Sequence, residues 1–206
     1  MAMESEYEVG CYGPESRIFG MTYGEWTAEW WKWLLSIPVS TNPLADESGQ
    51  YATLHQLSNV WFLAGSFPKT GQIFPSRKAR LSGERPILFP VINCEANSLE
   101  YPELTSESEL VEHVTTDMNT IVKRDCLING EKVIPHRIAS EPHIFSLTIH
   151  KDNAFGVREG GTTYATSDGY WVFLKPLMRG HYQISFEGSC EFGRLNSGAV
   201  YELEIF

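Results

Sequence analysis

The stretch YWVFLKPLMRGHYQISFEG (170–188) decides the fold class. Its first eight residues are apolar on both faces, which suits a strand covered from two sides. Arg179-Gly180 then turns the chain. From His181 the pattern alternates: Tyr182, Ile184 and Phe186 share one face, and His181, Gln183, Ser185 and Glu187 the other. That is the period of a strand with one wet face. Working outward, AVYELEIF (199–206) alternates in the same way, and HIFSLTIH (143–150) places Phe145, Leu147 and Ile149 together. VWFLAGSF (60–67) and PILFPVIN (86–93) also read as strands, with a hairpin expected from Arg77 through Ser82-Gly83 into the second. Pro90 lacks a ladder N–H and marks an edge or a bulge. Asn129-Gly130 marks a tight hairpin. About eight strands predict a mainly β protein, a sandwich of jelly-roll-like form.

Two helices are set into this pattern. Thr22 and Glu25 have capping-box spacing and Pro38 ends the run after Ile37, so a helix is expected over about 22–37. At 100° per residue, Trp26, Trp30, Trp33, Leu34 and Ile37 fall on one face, and Glu25, Glu29, Lys32 and Ser36 form a thin polar stripe. A helix with so little polar surface is nearly surrounded, by its own sheet or by another subunit. Ser106 and Glu109 predict a second start, with Leu110, Val114, Met118, Ile121 and Val122 as the apolar stripe of a helix over about 107–123.

The chain has 206 residues, enough for one domain, expected over 21–206 behind an irregular arm, 1–20. Apolar residues make up 42% and charged residues 20%, which supports a core and excludes a disordered chain. The net charge of −10 works against nucleic-acid binding, because phosphate contacts need clustered Lys and Arg. No apolar run reaches the roughly 18 residues of a membrane span. The first twenty residues show neither a basic n-region nor an apolar h-region. The expected location is therefore the cytoplasm, or outside the cell if a leader has been removed.

WTAEWWKWLLSIP (26–38), NPLADESGQ (42–50), VWFLAGSF, PILFPVIN and SDGYWVFLKPL (167–177) occur in that order. Together they resemble a family of uncharacterised bacterial and archaeal proteins, over the chain from about Tyr23 to its end. The resemblance implies one coherent domain. Many relatives carry secretion signals, which this chain does not show. No catalytic residue is implied.

Candidate sites come from the residues. Trp26, Trp30 and Trp31 could form an aromatic platform for a sugar or a heterocycle. Their plainer role is core, and Trp31, off the main face, is the one best placed to meet a ligand. Glu25 and Glu29 lie one turn apart, where like charges are mildly destabilising. Capping by Glu25 and a Glu29–Lys32 pair would explain both, and Glu29 is the acid/base candidate of the two. Asp117 projects into the apolar stripe with His113 one turn before it, an arrangement suited to a carboxyl raised by burial. Asp46, Gln56, Asn93, Glu95 and Asp168 lie beside strands or turns, where sandwich-end sites are lined.

Cys11, Cys94, Cys126 and Cys190 show no C-x-x-C pair, and no His pair has ligand spacing, so neither a metal nor another cofactor is expected. Their oxidation state stays open, with reduced thiols expected in a cytoplasm. No nucleophile elbow, P-loop or dinucleotide fingerprint occurs. These residues favour a non-enzymatic β-sandwich that binds a small molecule, such as a carbohydrate, or a partner, and self-associates. The alternatives are a hydrolase- or lyase-type enzyme using Asp117 with His113, or Glu29, and a structural assembly protein.

Overall fold

The computed structural model describes residues 9–56, 58–67, 73–191, 193 and 195–206. Phe19 (φ 52°) and Gly20 (φ 85°) turn two short strands, β1 (Arg17–Ile18) and β2 (Met21–Thr22), into a hairpin. Two consecutive positive φ values match the twist of the flanking strands, and glycine takes the second without a Cβ clash. The hairpin leads directly into helix α1 (Tyr23–Ser36). The capping box is present: Thr22 N donates to Glu25 Oε2 at 2.6 Å and Glu25 N to Thr22 Oγ1 at 3.1 Å. Upstream, Tyr12 N donates to Phe173 O at 2.8 Å and Lys175 N to Gly10 O at 2.9 Å, which attaches this part of the N-terminal arm to the body.

Next come β3 (Trp61–Phe62), β4 (Ser76–Leu81) and β5 (Ile87–Asn97), then helix α2 (Glu107–Asn119). The remaining chain is strand: β6 (Ile121–Ile128), β7 (Glu131–Lys132), β8 (His136–Ala139), β9 (Phe145–Ile149), β10 (Gly161–Leu174), β11 (Gly180–Cys190) and β12 (Asn196–Ile205). One sheet has the order β3-β5-β10-β8, with β9 also on β10; the other has the order β4-β12-β11-β6-β7. The expected sandwich with two helices is present. Parallel pairs β3–β5 and β4–β12 depart from the all-antiparallel pairing of a regular jelly roll.

Two expectations need correction. β4 and β5 are not a hairpin, because the turn between them crosses from one sheet to the other. α2 ends at Asn119 rather than near 123, with Thr120 as its C-cap. Ile121 and Val122 open β6, and Val122 is exposed. Their β-branched side chains favour a strand over the last turn of a helix. Other signals hold. Asn129 (φ 51°) and Gly130 (φ 85°) make the β6–β7 turn. The β5–β10 register shifts between Tyr170 and Trp171, opposite Pro90 and Ile92, so the bulge falls beside the proline.

The layers arise from the patterns. Between the sheets, Phe89 packs on Phe186 (centroids 5.0 Å apart) with Val172, Leu174, Ile184 and Tyr201 around them. α1 covers the other face of the first sheet, where Trp26, Trp30 and Trp33 meet Phe62, Trp171 and Phe173. Trp30 crosses Trp171 edge-on at 5.3 Å, and its Nε1 donates to Leu63 O at 2.9 Å. α2 lays Leu110, Val114 and Met118 over Ile92, Cys94 and Ala96. Both the Trp helix and the two-faced strand are thus covered inside one chain, so neither needs a second copy to bury it. No helix among the described residues is long and apolar enough to cross a membrane.

Candidate functional site

β3 pairs with β5 only at Trp61↔Ile87 and Phe62↔Leu88. Beyond that point the same edge of β5 has no strand neighbour among the described residues. A cleft of about 290 Å³ opens there. α1 gives it Trp31, and the loops give Phe67 and Phe155. The end of β5 gives Asn93, Cys94 and Glu95. The connection to α2 adds Glu100 and Tyr101, α2 adds Asp117, and the approach to β12 adds Leu195 and Asn196.

The aromatic wall is continuous: Trp31 and Phe155 have centroids 6.1 Å apart, and Phe155 and Phe67 6.3 Å. Three buried polar atoms of the lining residues have no hydrogen-bond partner: Trp31 Nε1, Asn93 Nδ2 and Asn196 Oδ1. Trp31 and Asn93 are only 2% and 5% exposed. Orphaned buried donors are costly, on the order of 1–3 kcal/mol each, and at a cleft they point to a missing partner. Other unpartnered buried atoms, such as Tyr23 Oη and Trp171 Nε1, belong to residues outside this lining. Gly169 makes room for Asn93, since a Cβ there would lie 2.5 Å from Asn93 Cβ.

The cleft is acidic. Glu95 is 7% exposed, and its carboxylate accepts from Asn97 Nδ2 at 3.0 and 3.3 Å. Burial first, then the neighbouring Glu100, push its pKa up to about 8 against the opposing Asn97 bond. Burial also raises Glu100, against a hydrogen bond from Tyr101. The Tyr101 hydroxyl is raised by burial and by the surrounding acids, Glu100 foremost. Cys94 is raised well above an ordinary thiol by burial and then by Asp117, Glu95, Asp168 and Glu100, which makes it a poor nucleophile.

Of the residues singled out from the sequence, the fold gathers Trp31, Asn93, Glu95 and Asp117 in this cleft. Asp117 is not sunk in the apolar stripe as expected. Its side chain is 33% exposed, with His113 Nε2 at 3.8 Å. The shorter helix explains this, because α2 has no further turn to cover it. Trp26 and Trp30 are core, and Trp26 Nε1 donates to Ile18 O at 2.9 Å. Glu29 faces outward and pairs with Lys32 at 2.7 Å. Gln56 clamps a loop, exchanging hydrogen bonds with Phe62 and donating to Ala52 O at 2.9 Å. Asp168 accepts Arg137 Nη2 at 2.7 Å and Nε at 3.0 Å, and Arg137 also reaches Asn119 Oδ1 at 2.7 Å. That pair ties β10 to α2. Asp46 accepts four hydrogen bonds from Ser48, Gly49 and Tyr51. Burial raises its pKa, but these bonds outweigh it and the net shift is down. Asp46 belongs to a separate depression beside Arg77.

Sequence reasoning missed Phe67, Glu100, Tyr101, Phe155 and Asn196. One signal was available for Glu100: Asn97 Oδ1 accepts Leu99 N and Glu100 N, an Asx turn legible in N-S-L-E (97–100). That turn brings Glu100 back beside Glu95.

Another depression, about 570 Å³, lies on the outer face of the second sheet. Its charges are already paired, Lys78 with Glu202 and Arg80 with Glu204. Among the described residues no group of three or more His, Cys, Asp or Glu is disposed to hold a metal ion. Comparison of the chain with protein-family models, with curated proteins and with solved structures returns no match.

Proposed function

We propose that this chain is a small-molecule-binding β-sandwich whose ligand sits in the cleft between α1, β5 and α2. One observation carries the reading: Trp31, Asn93 and Asn196 line a single cavity, and each holds a buried polar atom with no protein partner, Nε1, Nδ2 and Oδ1. A ligand that completes them offers an oxygen acceptor to the two donors and an N–H or O–H to Asn196. It also has an apolar side for Trp31, Phe67 and Phe155. The volume, near the lower end of ligand sites, suits one small molecule.

The test is a thermal-shift screen of small polar compounds. Hits should raise the melting temperature of the wild type and of Glu29→Gln, which lies outside the cleft. They should lose most of that effect in Trp31→Phe and Asn93→Ala, each of which removes an unpaired donor. Hits that act equally on all four proteins would place binding elsewhere.

A further inference from the structure

Resting on that reading of the cleft, we infer that its ligand is a small organic cation carrying an oxygen acceptor, such as an amino alcohol. Three carboxyl side chains, Glu95, Glu100 and Asp117, line the cavity, and no Lys or Arg does so among the described residues. Two described cations, Lys32 and Arg137, are engaged elsewhere, by Glu29 and Asp168, both at 2.7 Å. Glu95, almost wholly buried, has among the described residues only the neutral amide of Asn97 as its hydrogen-bond partner. Among the described residues no cationic side chain answers this carboxyl, so its ionised form lacks a counter-charge that a cationic ligand would supply.

The opposite wall fits the same ligand. Trp31, Phe155 and Phe67 present joined aromatic surfaces, and ring faces attract cations, most strongly where water is excluded. Trp31 Nε1 and Asn93 Nδ2 then take the ligand's oxygen, while Asn196 Oδ1 accepts its hydroxyl or ammonium proton. An anion would meet three carboxyl groups, and a neutral ligand would supply no counter-charge to Glu95 once it is ionised.

Protonation gives an independent handle. Among the described residues, the titratable and charged groups around Glu95 are Glu100 and Tyr101 from the connection, and Cys94 from its own strand. Asp117 and His113 belong to α2, and the Asp168–Arg137 pair to β10 and β8. Burial first, and Glu100 after it, keep Glu95 protonated into the neutral range. A cation binds best once Glu95 is ionised, so affinity rises with pH up to that range and levels off above it.

The experiment is calorimetric titration with three probes that share one branched head: choline, neohexyl alcohol and tert-butylacetate, which are cationic, neutral and anionic. Glucose serves as a neutral polyhydroxylated probe. Choline should bind at least about tenfold more tightly than the others, and about tenfold more tightly near pH 9 than near pH 6. Glu95→Gln should remove that pH dependence and weaken choline about tenfold near pH 9. Because Gln copies the protonated carboxyl, the variant should keep the wild-type fold. Equal or tighter binding of neohexyl alcohol, tert-butylacetate or glucose overturns the cationic class while leaving the cleft a binding site. Failure of choline to bind, or choline binding indifferent to Glu95→Gln, also overturns it. The compound screen then judges the cleft by itself.

Discussion

Asn97 Nδ2 stands between two carboxyl groups, 3.0 Å from Glu95 Oε1 and 3.4 Å from Glu100 Oε2. Burial disfavours both charges, Glu100 adds to the effect on Glu95, and one neutral amide does not offset them, so Glu95 holds a proton where an isolated glutamate would not. This has a consequence for stability. Glu95 titrates near 4.5 when unfolded and at about 8 when folded. Between those values the folded state binds more protons than the unfolded one, so stability falls as pH rises and levels off above about 8. The loss is on the order of a few kcal/mol. Melting temperatures measured from pH 5 to pH 9 should show the decline, and Glu95→Gln should flatten it. A wild-type curve rising over the same range would contradict the assignment.

Trp30 and Trp31 are neighbours with different duties. Trp30 Nε1 donates to Leu63 O, whereas Trp31 Nε1 has no partner. Trp30→Phe therefore breaks a buried hydrogen bond and leaves a carbonyl unpaired, for a cost of about 2 kcal/mol or more. Trp31→Phe breaks none and should cost less, while still affecting ligand binding. Urea unfolding of the two variants measures the difference directly.

How far the sequence reveals this depends on the kind of signal. α1 and its capping box, the central strand through Trp171 and the bulge at Pro90 are local patterns with a fixed period or a missing N–H, and they are readable. The β4–β5 crossover is not, because Ser82-Gly83 turns the chain equally well into a hairpin or into another sheet. The cleft is half readable. Asn93 and Glu95 stand out as polar groups in an apolar strand, but Phe67 and Phe155 come from separate loops and Asn196 from the start of β12. Their meeting depends on how those loops fold back, which no short-range pattern encodes. Asp168 reads as a binding residue for the same reason: its actual partner, Arg137, lies thirty-one positions away.

Asp168 should behave as a strut. Asp168→Ala leaves the Arg137 guanidinium without its carboxylate and loosens β10 from α2, at a cost of about 1–3 kcal/mol. Denaturant unfolding should show this loss. The affinity for cleft ligands should change less than in Asn93→Ala.

Arg77 is buried with its guanidinium spread over neutral oxygens: Asp46 O, Ala64 O, Gly65 O and Tyr201 Oη. Nη1 meets the last three and Nε the first, so a lysine ammonium, with no second donor nitrogen, leaves at least one of them unmet, and Arg77→Lys should destabilise by about 1–3 kcal/mol. Thermal unfolding should fall accordingly. A near-neutral result would mean the guanidinium fork is dispensable.

The binding role of the cleft is tested most directly by a crystal structure of the protein with a screening hit. The expected density places a ligand oxygen within hydrogen-bonding distance of Trp31 Nε1 and Asn93 Nδ2, with the ligand's apolar side against Phe155. Density for ordered water alone at those atoms, with the hit bound elsewhere on the surface, would contradict it.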